Sequence, residues 1–113
     1  MLILHCGTND LRKDEPEKVA ANIARIAIQA KETIRKVAVS SILARDDSDF
    51  FERKRVEVNA FLQKLLANKD IDFIEHPVFD TDWEYLLYND GIHLNEQGTN
   101  VLGNAFLNYI NNI

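Results

Sequence analysis

Short apolar runs with β-branched residues alternate in this chain with stretches whose apolar residues recur every three or four positions. That alternation restricts the fold more than any other feature, because it demands strands and helices in turn. Leu2-Ile3-Leu4 with Cys6 is the first run, closed by Gly7, and predicts a buried strand feeding a loop. Asp14 as N-cap, Pro16 in the first turn and acidic Glu15 and Glu17 predict a helix over roughly 15–34, with Val19, Ile23, Ile26, Ala30 and Ile34 on one face. Val37 to Leu43 is a second strand run, and residues 44–49 form a polar loop. From about Glu52 to Asn68 a second helix gathers Val58, Phe61, Leu62, Leu65 and Leu66. Ile71-Asp72-Phe73-Ile74 is a third strand. Residues 75–95 have no clear period and read as a long functional or disordered loop. Asn95 then caps a third helix, with Val101, Leu102, Ala105, Phe106, Tyr109 and Ile110 facing one way.

The order β-α-β-α-β-loop-α implies right-handed crossovers and a parallel sheet. About three strands and three helices are few for a parallel sheet covered on both faces, so residues 1–113 read as a single partial domain of a doubly wound α/β fold. A stripped sheet edge predicts a marginal fold, with Ile23, Ile26 and Ile34 partly uncovered.

Composition excludes several classes. Thirteen Lys and Arg against eighteen Asp and Glu give a formal net charge of -5, and the basic residues form no patch, which disfavours nucleic acid as a partner. The single cysteine, Cys6, permits no internal disulfide and reads as a buried small hydrophobe rather than a reactive thiol. No apolar stretch approaches the ~20 residues of a membrane span, and the apolar start stops at His5, short of a signal peptide. The expected compartment is the cytoplasm. His5, His76 and His93 lack metal-ligand spacing, no metal or cofactor is expected, and no Gly-rich phosphate loop supports a nucleotide-binding reading.

Two short strings carry the chemistry. Gly7-Thr8-Asn9-Asp10 follows the first strand and Asp90-Gly91-Ile92-His93 precedes the last helix, so both can reach the carboxyl edge of the sheet, where functional groups gather. In Asp-x-x-His, the carboxylate can accept the Nδ1 hydrogen of the imidazole, which leaves Nε2 free to take a proton from a nucleophile. An Asn amide on a tight Gly-containing loop can donate to a developing oxyanion, an effect worth ~10²–10³ in rate.

These two strings resemble the third and fifth sequence blocks of the SGNH (GDSL-type) hydrolases. The wider wording, from Leu-His-Cys-Gly-Thr-Asn-Asp-Leu to Asp-Gly-Ile-His-Leu-Asn-Glu-Gln-Gly-Thr, resembles SGNH-like domains of animal retrotransposon-derived and uncharacterised proteins. The resemblance spans Leu2 to about Ile110 and implies a flavodoxin-like three-layer α/β/α fold, incomplete here. It implies serine esterase chemistry without a metal: His93 as base, Asp90 as its partner, and Asn9 as side-chain oxyanion donor. Gly7 would shape the loop and contribute to substrate binding with Asn9. Asp10 would hold the block by hydrogen bonds.

The family's first two blocks, which supply the nucleophilic serine and two backbone oxyanion donors, precede the third block and have no counterpart in this sequence. Ser40, Ser41 and Thr8 lie near the right edge, but serines at strand ends usually bond only the backbone. Arg45-Asp46-Asp47 reads as a solvated loop that could touch substrate. Trp83, Tyr85, Leu86, Leu87 and Tyr88 either line an acyl pocket or pack the loop down. The leading expectation is the C-terminal part of an esterase acting on a small acyl ester and silent alone. The alternative is a non-catalytic α/β interaction module that self-associates through an exposed sheet edge.

Overall fold

Val37 to Ser40 is apolar almost throughout and is buried along its whole length, as a strand between two parallel neighbours must be. The computed structural model, which describes residues 1–113, places this strand, β2 (Val37–Ser40), between β1 (Leu2–Leu4) and β3 (Asp72–Ile74). All pairings are parallel, with Leu2 opposite Val37 and Ala38 opposite Asp72. The three strands therefore end together, and the segments that follow Leu4, Ser40 and Ile74 leave from one edge.

Alternation along β2 sends its side chains to two unequal faces. Val37 and Val39 enter the main core with Leu11, Val58, Leu62 and Leu66, beneath α1 (Pro16–Lys31) and α2 (Asp49–Leu66). The α1 face is Val19, Ala20, Ile23, Ala24 and Ala27, rotated from the predicted one. Ile23 is buried against α2 residues, contrary to the expectation that it would be uncovered, while Ile26 is 44% exposed and Ile34 half-buried. The helix starts one residue after Glu15, which caps without its side chain; Asp14 instead pairs with Lys18. Ser48 caps α2, accepting a bond from the Phe51 amide, so that helix begins earlier than predicted.

The second face is thinner. Residues 75–95 are not a loop throughout: α3 (Val78–Leu86) lies within them, so the chain has four α-helices rather than three. Its buried residues, Phe79 and Leu86, are two turns apart with acidic residues between, and non-helical φ/ψ at Asp82 bends it, so it shows no period in sequence. Phe79 and Leu86 form a small core with Ala44, against which Leu43, Leu94, Val101 and Leu102 pack. α4 (Glu96–Asn111) begins at the expected cap, where Asn95 Oδ1 accepts from the Gly98 amide at 2.8 Å. Near its other end the Tyr109 hydroxyl donates to Asp72, a carboxylate that also meets Lys36 at 3.0 Å. No helix is long and apolar enough to cross a membrane.

The same face holds a polar cluster. Ser40 Oγ lies 2.7 Å from His76 Nε2 and 2.9 Å from His5 Nδ1, and the Phe106 ring meets both imidazoles edge to face. One hydroxyl proton cannot serve two acceptors, so at least one imidazole presents N–H to the Ser40 oxygen. Burial holds His76 down at about 4 against its ordinary 6.5, and lowers His5 in the same direction. Unfolded chains take up these protons below about pH 6.5 while the folded chain does not, so stability is full above that pH and declines as pH falls toward 4. Urea unfolding at pH 7.5 and pH 4.5 should differ by on the order of 2 kcal/mol, and His76→Gln should remove most of the difference.

Candidate active site

The first strand ends at Leu4, and Gly7 turns the chain by adopting a left-handed φ of 115°. The positive φ is what requires glycine; a Cβ there would also sit 2.8 Å from Ile42 Cδ1 and 2.9 Å from Ile23 Cδ1, whose side-chain tips would have to move. A 3-10 turn, Thr8–Arg12, follows, closed by the Asp10 amide donating to the Gly7 carbonyl at 3.1 Å. Leu11, fully buried, nails this turn to the main core. Asn9 is left exposed at the sheet edge. Asp10 is exposed too, and it holds the block through its backbone: beside the amide bond to Gly7, its carbonyl accepts from the Lys13 and Asp14 amides at 3.1 Å.

The second string forms a tight return between Leu87 and Leu94, which pair as an isolated antiparallel bridge. The Tyr88 amide donates to the His93 carbonyl at 2.8 Å, and the Gly91 amide to the Tyr88 carbonyl at 3.0 Å. Asp90 Oδ1 accepts from the Ile92 and His93 amides at 2.9 and 3.0 Å, an Asx turn that fixes the carboxyl group. Its other oxygen, Oδ2, lies 2.5 Å from His93 Nδ1. The bond to His93, helped by the two amides, holds the Asp90 carboxyl down at about 2. It is therefore ionised throughout the neutral range and acts as acceptor, so Nδ1 carries a hydrogen, and in the neutral imidazole Nε2 is the bare nitrogen. The His93 side chain is 74% exposed.

A cleft of ≈ 570 Å³ joins the two strings: it is lined by Gly7 to Asp10 on one side and Ile92 to Leu94 on the other. Its floor comes from Ile42 to Arg45, a segment that sequence reasoning read as the end of a strand and a solvated loop. Arg45 is in fact buried, paired with Asp47 through two bonds of 2.6 Å, and its Nη1 donates to the Thr8 carbonyl at 3.0 Å.

The hydroxyls and the thiol near the cleft sit in different surroundings. Ser40 is enclosed between His5 and His76, Ser41 is buried, and Thr8 Oγ1 faces Arg45 Nη1 at 3.3 Å. Cys6 is exposed rather than buried, a correction that follows from its place beyond the strand, where the sheet no longer covers it. Desolvation of its sulfur and the nearby Asp10 push its thiol up, away from the thiolate. Of the aromatic cluster, Leu86 and Leu87 are buried and pack the segment down, whereas Tyr85 and Tyr88 are 69% and 60% exposed.

A three-stranded parallel sheet with four helices and a cleft at its carboxyl edge defines a partial flavodoxin-like α/β fold. Among solved structures, a lipolytic protein of the G-D-S-L family from Veillonella parvula superposes with a TM-score of 0.80 at 24% identity, covering 98% of this chain and 63% of that one. An acetylxylan esterase from Geobacillus stearothermophilus superposes with a TM-score of 0.77 at 15% identity, covering 94% of this chain and 57% of its own. The chain thus spans less than two-thirds of the length of either structure. Catalytic mutants of that esterase replace a serine, an aspartate, and a histidine three positions after the aspartate. No family model matches the chain. No curated protein matches it either.

The Asp90–His93 bond has a direct spectroscopic consequence. In carbon NMR the Asp90 carboxyl should titrate with a midpoint near 2, and in His93→Ala it should return toward the ordinary 3.8, by the loss of its largest stabilising partner. A midpoint near 3.8 in the unaltered chain would mean that the two side chains are not bonded in solution.

Proposed function

We propose that this chain carries the base, its orienting carboxylate and one oxyanion donor of an SGNH-type serine esterase, with the nucleophilic serine supplied from outside these residues. The observation that carries the reading is the Asp90–His93 pair, bonded through Nδ1, with His93 lining the same cleft as Asn9. The spacing of Asp90 and His93 equals that of the aspartate and histidine replaced in the catalytic mutants of the acetylxylan esterase.

In the reaction, a serine hydroxyl loses its proton to His93 Nε2 as its oxygen attacks the ester carbonyl. The Asn9 amide donates to the oxyanion, which carries charge only after attack, so its bond favours the transition state over the bound ester. The tetrahedral species collapses, its C–O bond to the alcohol breaks, and the imidazolium returns its proton to the departing alkoxide. Water then attacks the acyl-serine with His93 again as base, releasing the acid and restoring the hydroxyl. Asp90 stays ionised throughout and stabilises the imidazolium. Small acyl esters, with acetyl esters first among them, are the substrate class.

The test is hydrolysis of p-nitrophenyl acetate by this chain alone, and by a protein extended upstream along its reading frame to include a serine block. Turnover by the extended protein alone is expected, with His93→Ala lowering kcat by roughly 10⁴. A folded extended protein without turnover, dimerising with concentration, would contradict the reading and favour an interaction module using the open side of β1.

A further inference from the structure

We infer that Arg45 is a positioning residue for this site, and that Arg45 and Asp46 together set the distance between Asn9 and His93. The two strings lie far apart in sequence and belong to separate loops, so something between them must fix their separation. The loop after β2 touches both.

On one side, Arg45 Nη1 donates to the Thr8 carbonyl at 3.0 Å. That carbonyl belongs to the peptide plane linking Thr8 to Asn9, so a bond to it orients the plane from which the Asn9 side chain departs. The guanidinium is itself immobilised: Nε and Nη2 each meet Asp47 at 2.6 Å, and its carbon lies 5.0 Å from the centre of the Phe51 ring. A planar fork held on one edge by a carboxylate can aim its remaining nitrogen in only one direction, which an ammonium cannot do. Arg45's own amide donates to Glu52 Oε1 at 2.9 Å, which fastens the loop to α2.

On the other side, the next amide along, that of Asp46, donates to the Gly91 carbonyl at 2.8 Å. This carbonyl shares a peptide plane with the Ile92 amide, which donates to Asp90 Oδ1 at 2.9 Å. The plane is gripped at both ends, and through it the carboxylate that orients His93. Contact here is close enough that a Cβ on Gly91, whose φ is +72°, would stand 2.8 Å from the Asp46 carbonyl carbon. Two consecutive residues thus hold the peptide planes beside the oxyanion donor and beside the base. The burial of Arg45, with its side chain only 4% exposed, is explained by this task, since a buried ion pair alone contributes little net stability.

The catalytic consequence rests on the esterase reading above; the clamp does not. Arg45→Lys keeps the positive charge beside Asp47 but loses the fork. In this chain, amide exchange at Asp10, whose bond to Gly7 closes the turn, should quicken about tenfold, as expected for losing one charge-assisted bond, while β2 amides keep their rates. In an extended, active protein the same change should lower kcat by about tenfold or more with KM held within about twofold, because a misplaced donor weakens only the transition state. Should Arg45→Lys unfold the chain, the paired change Arg45→Met with Asp47→Asn removes both charges and gives the same readouts. Unchanged exchange at Asp10 in a folded variant would overturn the clamp, whether or not any form hydrolyses esters. Faster exchange with no turnover in any extended form would support the clamp and reject the esterase reading.

Discussion

The parallel pairing of β2 on both of its sides governs everything else in this chain. Because Val37 to Ser40 is buried on both faces, its register with Leu2 to Leu4 and Asp72 to Ile74 cannot slip by one residue without turning Val37 and Val39 out of the main core. Fixed register makes the three strands end level, and three loops emerge at one edge. The chemistry then needs no long-range design beyond what those loops bond to. Gly7 turns the first back over Ile42, and the middle loop is pinned to its neighbours through Arg45 and Asp46.

The fold divides unevenly about the sheet. Thirteen buried residues form the core under α1 and α2, against three under α3 and α4. On the thin side, polar contacts carry part of the burden: the His5–Ser40–His76 cluster and the tie from Tyr109 to Asp72. Such contacts are directional and sensitive to protonation, whereas the thick side is held by apolar packing that is not. Both strings belong to the cleft edge between these layers, so the site is built on the rigid layer and completed from the softer one.

The parts legible in the sequence were those with local causes. β2 is a β-branched run, α2 has a helical period, α4 has both a period and its Asn95 cap, and Asp90-x-x-His93 is a bond within one turn, so each could be read from adjacent residues. The pattern of α1 identified a helix but not its buried face, because alanines 20, 24 and 27 carry the contact and do not stand out as apolar beside Ile26. α3 escaped because nine residues with a bend show too few turns for a period. Arg45 and the histidine cluster depend on contacts spanning 35 to 37 residues, which no local pattern discloses. Cys6 was misplaced by extending β1 two residues beyond its last sheet partner, Leu4.

The central claim is that the base is oriented before any nucleophile arrives. Nitrogen NMR of the His93 imidazole in this chain, recorded at pH 8, tests it most directly. A single tautomer is expected, with hydrogen on Nδ1, bonded to Asp90, and Nε2 unprotonated. A His93 ring carrying its hydrogen on Nε2, or averaging between tautomers as a free imidazole does, would contradict it.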